Sequence, residues 1–242
     1  MKLKKYLFIG LFSGILIIGG LVLFAFARTR GKTDVEFRIH INKELVQQST
    51  FGESPTFAIW IENPETKNTQ TIFVTKRAAL GDWEGKTSVP VALPKWFEVF
   101  KTENNSDDIP TAEKSAPNAI SGATPKPGFF STRIRVIPKS EWNCYIEVNL
   151  AGDFNDYYKP YNEKEKSTDE YSTGQPSLLY QAKIIAIEGN QAVPELVGMC
   201  MLNSINGEIV QPVQGITSAS NIFDEILISV IKPKPRIIEW KK

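Results

Sequence analysis

The sequence predicts an all-β fold, a β-sandwich of immunoglobulin or fibronectin style, preceded by one N-terminal transmembrane helix. Three observations carry that expectation. The uncharged run from Tyr6 to Ala27 is fenced by Lys2, Lys4 and Lys5 before it and by Arg28, Arg30 and Lys32 after it. Beyond it, apolar residues recur at a spacing of two along nearly the whole chain, the period of a half-buried strand. No segment after Ala27 reads with the 3.6-residue period of an amphipathic helix.

As a helix, the Tyr6 to Ala27 run reaches roughly 33 Å, about the thickness of a bilayer's hydrocarbon core. A cleaved signal peptide is the rival reading, since Ala25-Phe26-Ala27 has the A-x-A form. The apolar part of a signal is usually only about 7 to 15 residues. The chain therefore divides into an anchor or signal with its linker, 1–33, and an exported β domain, 34–242. Its amino terminus is expected on the cytoplasmic side. Residues 1–33 hold six of the 28 Lys and Arg and none of the 27 Asp and Glu, leaving 22 against 27 in the remainder, a net −5. A mildly acidic exported domain makes a poor nucleic-acid binder. The only two cysteines, Cys144 and Cys200, both lie in that part; a disulfide or two buried thiols are both open.

Val35, Phe37, Ile39 and Ile41 alternate with Glu36, Arg38 and His40, a strand that puts the only histidine on its polar face. Thr56 to Glu62 and Gln70 to Lys76 form a hairpin around the turn residues Asn63-Pro64 through Asn68. Val89 to Phe100 is aromatic and broken by proline, hence edge strand or irregular cover. Lys101 to Asn118 is a polar excursion. Phe129 to Ile137 and Trp142 to Leu150 come next as strands, joined tightly through Pro138-Lys139-Ser140-Glu141. Asp153 to Pro176 has no apolar pattern and is a long loop rich in tyrosine and acid. Ser177 to Glu188, Ala192 to Asn203, Gly207 to Val213 and Phe223 to Ile231 complete a set of nine or ten strands.

The usual catalytic constellations are missing from this sequence. It has no Gly-x-Ser-x-Gly elbow, and one exposed histidine is a poor partner for a nucleophile. Two cysteines 56 positions apart and His40 make a weak zinc set. Asp153-Phe154-Asn155-Asp156 lacks the spacing of a helical calcium loop. In Met199-Cys200-Met201 the pleat sends the cysteine to the face opposite the methionines, which favours packing over copper or haem ligation. No catalytic residue and no metal ligand is assigned.

Ser121-Gly122-Ala123-Thr124 stands apart. It resembles the flavin-attachment motif of exported FMN-binding proteins, Asp-x-x-(Ser or Thr)-Gly-Ala-Thr, in which a dedicated flavin transferase joins the FMN phosphate to the last threonine as a phosphoester. The resemblance implies covalent FMN on Thr124, with Ser121, Gly122 and Ala123 leaving room for the transferase. Gly122 permits backbone geometry closed to other residues, and Pro125 and Pro127 stiffen the segment just past the acceptor threonine. Where the motif has aspartate, this chain has Asn118.

A second resemblance covers Phe57 to Ile231. Phe57 to Glu62, Phe73 to Lys76, Leu93-Pro94-Lys95-Trp96, Ala119 to Gly128, Asp153 to Tyr158 and Gly174 to Tyr180 are similar, in order, to landmarks of a bacterial family of exported β-rich proteins. That family is catalogued as a domain of unknown function and is associated with extracytoplasmic flavin-transfer systems. Joined to the anchor read from Tyr6 to Ala27, the two resemblances imply a membrane-anchored flavoprotein that passes electrons between membrane redox proteins. Trp83, Trp96, Tyr157, Tyr158 and Tyr161 are candidate stacking surfaces, against the usual role of aromatics in filling β cores. The alternative is a non-catalytic binding or assembly module of a cell-envelope complex that works through the Asp153 to Pro176 loop.

Overall fold

The computed structural model describes residues 2–80, 92–105, 121–122, 124–162, 164, 172–200 and 207–235, with backbone alone at 2–12, 80 and 121–122. Helix α1 runs Lys2–Thr29. Its side chains are described from residue 13 on, and among the described residues no helix is long and apolar enough to cross a membrane.

Beyond α1 the chain forms β1 (Thr33–Ile41), α2 (Lys43–Gln48), β2 (Thr56–Glu62), β3 (Thr69–Thr75), α3 (Lys76–Leu80) and α4 (Pro94–Asn104). After them come β4 (Ser121–Gly122), β5 (Gly128–Val136), β6 (Glu141–Asn149), β7 (Ser177–Ile185), β8 (Gln191–Ala192), β9 (Glu195–Cys200), β10 (Ile209–Val210) and β11 (Phe223–Ile231). They form two sheets, β5-β1-β11-β8 and β10-β9-β7-β6-β2-β3-β4. Every pairing is antiparallel except β3 with β4. The fold is mostly β and sandwich-like.

Alternation builds the space between the sheets. Val35, Phe37, Ile39 and Ile41 of β1 are all fully buried and meet Phe57, Ile59 and Ile61 of β2 with Cys144, Ile146 and Val148 of β6 in one cluster. Phe57 packs edge-on to Phe130 and Phe223, an arrangement that adds to simple area burial. The outer face of the small sheet stays polar. There His40 bonds Asp224 at 2.5 Å and Arg38 lies over the Phe129 ring at 4.3 Å.

The large sheet is covered on both faces, which the sequence pattern did not anticipate. Where an edge strand or irregular cover was expected, Pro94–Asn104 is a helix. Proline suits its first turn, where the missing N–H would be unpaired anyway. Trp96, Phe97 and Phe100 then fall at helical spacing on one face and pack over Ala58, Trp60, Val74 and Leu179. The expectation that no helix lies beyond Ala27 is thus corrected, since α2, α3 and α4 all do. The tight connection expected between the strands that are β5 and β6 is present; β5 belongs to the small sheet and β6 to the large one, so it crosses the sandwich.

Strand register gives the sandwich two ends. At the entry end β1 begins just after α1, Thr33 faces Val136, and the β5–β6 connection crosses between sheets. At the far end Ile41 faces both Gly128 and Phe223, and Thr56 faces Asn149. The eight steps from Thr33 to Ile41 separate those ends by roughly 27 Å.

Candidate functional site

The Ser-Gly-Ala-Thr loop lies at the far end, on the edge of the large sheet. Val74 pairs with Ser121 and Thr75 with Gly122, so β4 is the last strand of that sheet and the chain then crosses to Gly128 and the small one. Thr124 sits in this crossing and is half-buried, between the open loop expected from the sequence and a packed interior. Lys126, two positions on, is exposed. Helix α3 is the neighbouring element, and its Arg77 is ion-paired with Glu53. Asn118 and Ala123 lie outside the described residues, as do the side chains of Ser121 and Gly122.

Among the described residues, none of the expected stacking aromatics is brought to Thr124. Trp96 is buried under α4, its indole N–H donating to Thr71 Oγ1 at 3.2 Å, so it offers no surface to a ligand. Tyr158 is tied to the β9–β10 side, with its hydroxyl donating to Gln214 O at 2.9 Å and touching Met199 Sδ at 3.6 Å. Strands β9 and β4 are five strand spacings apart, roughly 24 Å. Tyr157 and Tyr161 are exposed beside Tyr158, and Trp83 lies outside the described residues.

Beside Asp34, which is paired with Arg135, the buried carboxyl groups among the described residues are Glu147, not singled out from the sequence, and Asp153, weighed there only within a calcium-type run and a landmark segment. Glu147 projects from β6 on the outer face of the large sheet and is fully buried. It accepts the backbone N–H groups of Lys95 and Trp96 at 3.2 and 2.7 Å and the Ser177 hydroxyl at 2.7 Å. The Cys200 thiol also reaches it. The residue at the helix start, Leu93, makes no side-chain cap, so a sheet carboxylate does the work that Ser or Asp usually does at an N-cap. Burial pushes the Glu147 carboxyl up to about 7 against the pull of those hydrogen bonds.

Asp153 is the second centre. It accepts the Gln175 backbone N–H at 3.0 Å, the Gln175 side-chain amide at 2.9 Å and the Ser218 hydroxyl at 2.9 Å. The Gln175 carbonyl oxygen accepts Thr217 N at 2.7 Å. Burial pushes Asp153 up to about 6. Together these bonds pin both ends of the Asp153 to Pro176 loop to the segment around Ser218. Gly174 makes the closure possible: its φ is +77°, and a Cβ there would meet Asp153 N at 2.8 Å.

The two cysteines are free and buried. Cys144 faces the space between the sheets, Cys200 faces Glu147, and β7 separates their strands, so the disulfide left open by the sequence is excluded. Met199 joins the inter-sheet core, as expected from alternation; Met201 lies outside the described residues. Among the described residues no group of three or more His, Cys, Asp or Glu is placed to hold a metal ion.

Trp60 of β2 and Trp96 of α4 share one cluster, and the run from Gly174 to Ser177 links the two carboxyl centres through Gln175 to Asp153 and Ser177 to Glu147. No family model, no curated protein and no solved structure matches the chain.

Proposed function

We propose that this chain is a membrane-anchored extracytoplasmic protein that carries FMN as a phosphoester on Thr124 and takes part in electron transfer. The observation that carries the proposal is the Ser121-Gly122-Ala123-Thr124 sequence, with the backbone of Ser121 and Gly122 on the last strand of the large sheet and Thr124 half-buried just past it. The residues suit the group: Thr124 supplies a hydroxyl, Gly122 is small, and the exposed Lys126 puts a cation near the site of a phosphate. When bound, the isoalloxazine supplies the redox chemistry, and the chain supplies position and surroundings. The anchor rests on the uncharged Tyr6 to Ala27 run and on the helical backbone of Lys2–Thr29. The immunoglobulin-like style of the sandwich stays part of the same proposal.

The ends of the sandwich limit who the redox partners are. Thr124 lies at the far end, roughly 27 Å beyond the point where α1 hands over to β1. A redox protein of the membrane must therefore project about that far to meet it, or else a soluble carrier bridges the gap.

Co-expression with an active flavin transferase tests the proposal. A fluorescent band on a denaturing gel that is lost in Thr124→Val supports it. No band in the native chain, and none in Asn118→Asp, rejects it.

The binding or assembly module is kept as the alternative on one specific observation. The Asp153–Gln175–Ser218 network holds the base of the long loop rigid while Tyr157 and Tyr161 stand exposed on it, the composition of a protein-recognition surface.

A further inference from the structure

The entry end of the sandwich carries an exposed apolar cluster that neither sheet explains. Ile137 is 68% exposed, Ile187 47% and Ile185 42%. Lys139 N bonds Ala186 O at 2.9 Å and Ala186 N bonds Ser140 O at 2.8 Å, which draws the segments bearing the three isoleucines together. Gly189 N to Val230 O at 2.9 Å ties them to the end of β11. The other exposed apolar residues beyond α1 are Phe51, Phe129, Tyr157 and Tyr161 toward the far end, Val193 between β8 and β9, and Leu196, Ile209 and Val213 along the β9–β10 edge.

Basic side chains share this end with the cluster. Lys67, Lys139, Lys183, Lys232 and Lys234 are exposed here, against Glu65, Glu141 and Glu188, and Lys67 is paired with the part-buried Glu62. Arg135 donates to Lys234 O at 2.8 Å, which holds the chain after β11 at the same end. Arg30 and Lys32 add two more charges in the link from α1.

That link is short. Residues 30–32 alone separate Thr29 from Thr33, so the end of α1 and the start of β1 stand no more than about 14 Å apart. Two turn bonds, Arg30 N to Ala27 O and Lys32 N to Thr29 O, shorten it further. A domain tethered so closely to a spanning helix cannot stand clear of the headgroups.

From this we infer that the Ile137–Ile185–Ile187 cluster is a lipid-docking surface that rests on the bilayer interface, with the lysines of the same end on anionic headgroups. The inference rests on the anchor reading above and is independent of FMN. Apolar residues that enter the interface beside Lys or Arg are the usual means by which a surface lies on a membrane. Docking through this end directs the far end, and with it Thr124, away from the bilayer.

The test uses the full chain in nanodiscs of phosphatidylcholine and phosphatidylglycerol, some with brominated acyl chains. Ile137→Cys, Ile187→Cys and, as far-end reference, Tyr157→Cys are each labelled with an environment-sensitive probe; Cys144 and Cys200 are buried and stay unlabelled. Brominated lipid is expected to cut emission roughly twofold at the two isoleucine positions and to leave position 157 unchanged. Lys139→Glu with Lys232→Glu is expected to weaken the quenching. Unquenched probes at 137 and 187 in a chain that resists alkaline extraction overturn the inference and leave the anchor standing. Equal quenching at 157 also overturns it. Loss of the chain on alkaline extraction overturns the anchor, and the docking surface with it.

Discussion

Glu147 receives the backbone N–H of Trp96 at 2.7 Å, and so a strand in the middle of the large sheet closes the amino end of a helix 51 residues away in sequence. This contact explains why α4 begins where it does. It also makes a buried carboxyl part of the fold's stability, and its pH dependence can be measured.

The carboxyl of Glu147 is raised by burial from 4.5 to about 7. A folded value above the unfolded one means that stability is fully present below pH 4.5 and is lost as pH rises through 7. The loss amounts to about 3 kcal/mol. Asp153, raised from 3.8 to about 6, adds to the same trend at the lower end of the window. Thermal unfolding between pH 4.5 and 8 should show a melting temperature that falls with pH, and Glu147→Gln should flatten that slope. A native profile that is level or rises across the window contradicts the assignment.

Truncating Trp96 to alanine removes the ring that covers Ala58 and Trp60 and leaves Thr71 without its indole partner. The expected cost is about 3 to 5 kcal/mol, the range for a large aromatic lost from a core. Urea unfolding reads it directly. A change below about 1 kcal/mol would mean that α4 is a loose cover.

Much of this architecture can be read from the chain, and the remainder is hidden for identifiable reasons. Strand β1 declares itself because one face is buried and the other wet, so Val35, Phe37, Ile39 and Ile41 alternate with polar neighbours. Strand β2 is a nearly unbroken apolar run, Thr-Phe-Ala-Ile-Trp-Ile, which is the signature of a strand covered on both faces. Helix α4 is that second cover. Its signal was present in Leu93, Trp96, Phe97 and Phe100, but Pro94 and the aromatics resemble a broken edge strand when the window is short. Glu147 alternates with Ile146 and Val148 and so reads as solvent-facing; only a helix end arriving from elsewhere buries it. The Ser-Gly-Ala-Thr loop was legible as a motif, but its position at the far end depends on strand pairing across the whole sandwich, which no local pattern encodes.

Gly174→Ala places a side chain at positive φ and against the Asp153 backbone. The expected loss is about 1 to 3 kcal/mol. Because the strain falls on the closure of the Asp153 to Pro176 loop, limited proteolysis should cut that loop faster than in the native chain. Unchanged stability with unchanged cleavage would show that the closure is not rigid.

Burial pushes the Cys144 thiol up to about 12 and raises Cys200 as well, where the Glu147 carboxylate opposes a second negative charge. Thiolate, the reactive form, is scarce in both. Neither should react with a thiol reagent in the folded chain at neutral pH, and both should react in denaturant. Rapid modification of the native protein would contradict their placement.

The central claim is a covalent flavin at the far end of the sandwich, and peptide mapping by mass spectrometry tests it most directly. The sample is the full chain purified from membranes of cells that also make an active flavin transferase. The account predicts that the peptide containing Thr124 carries the mass of one FMN joined through phosphate and that no other peptide does. Recovery of that peptide unmodified, beside a control flavoprotein fully modified in the same cells, would contradict it.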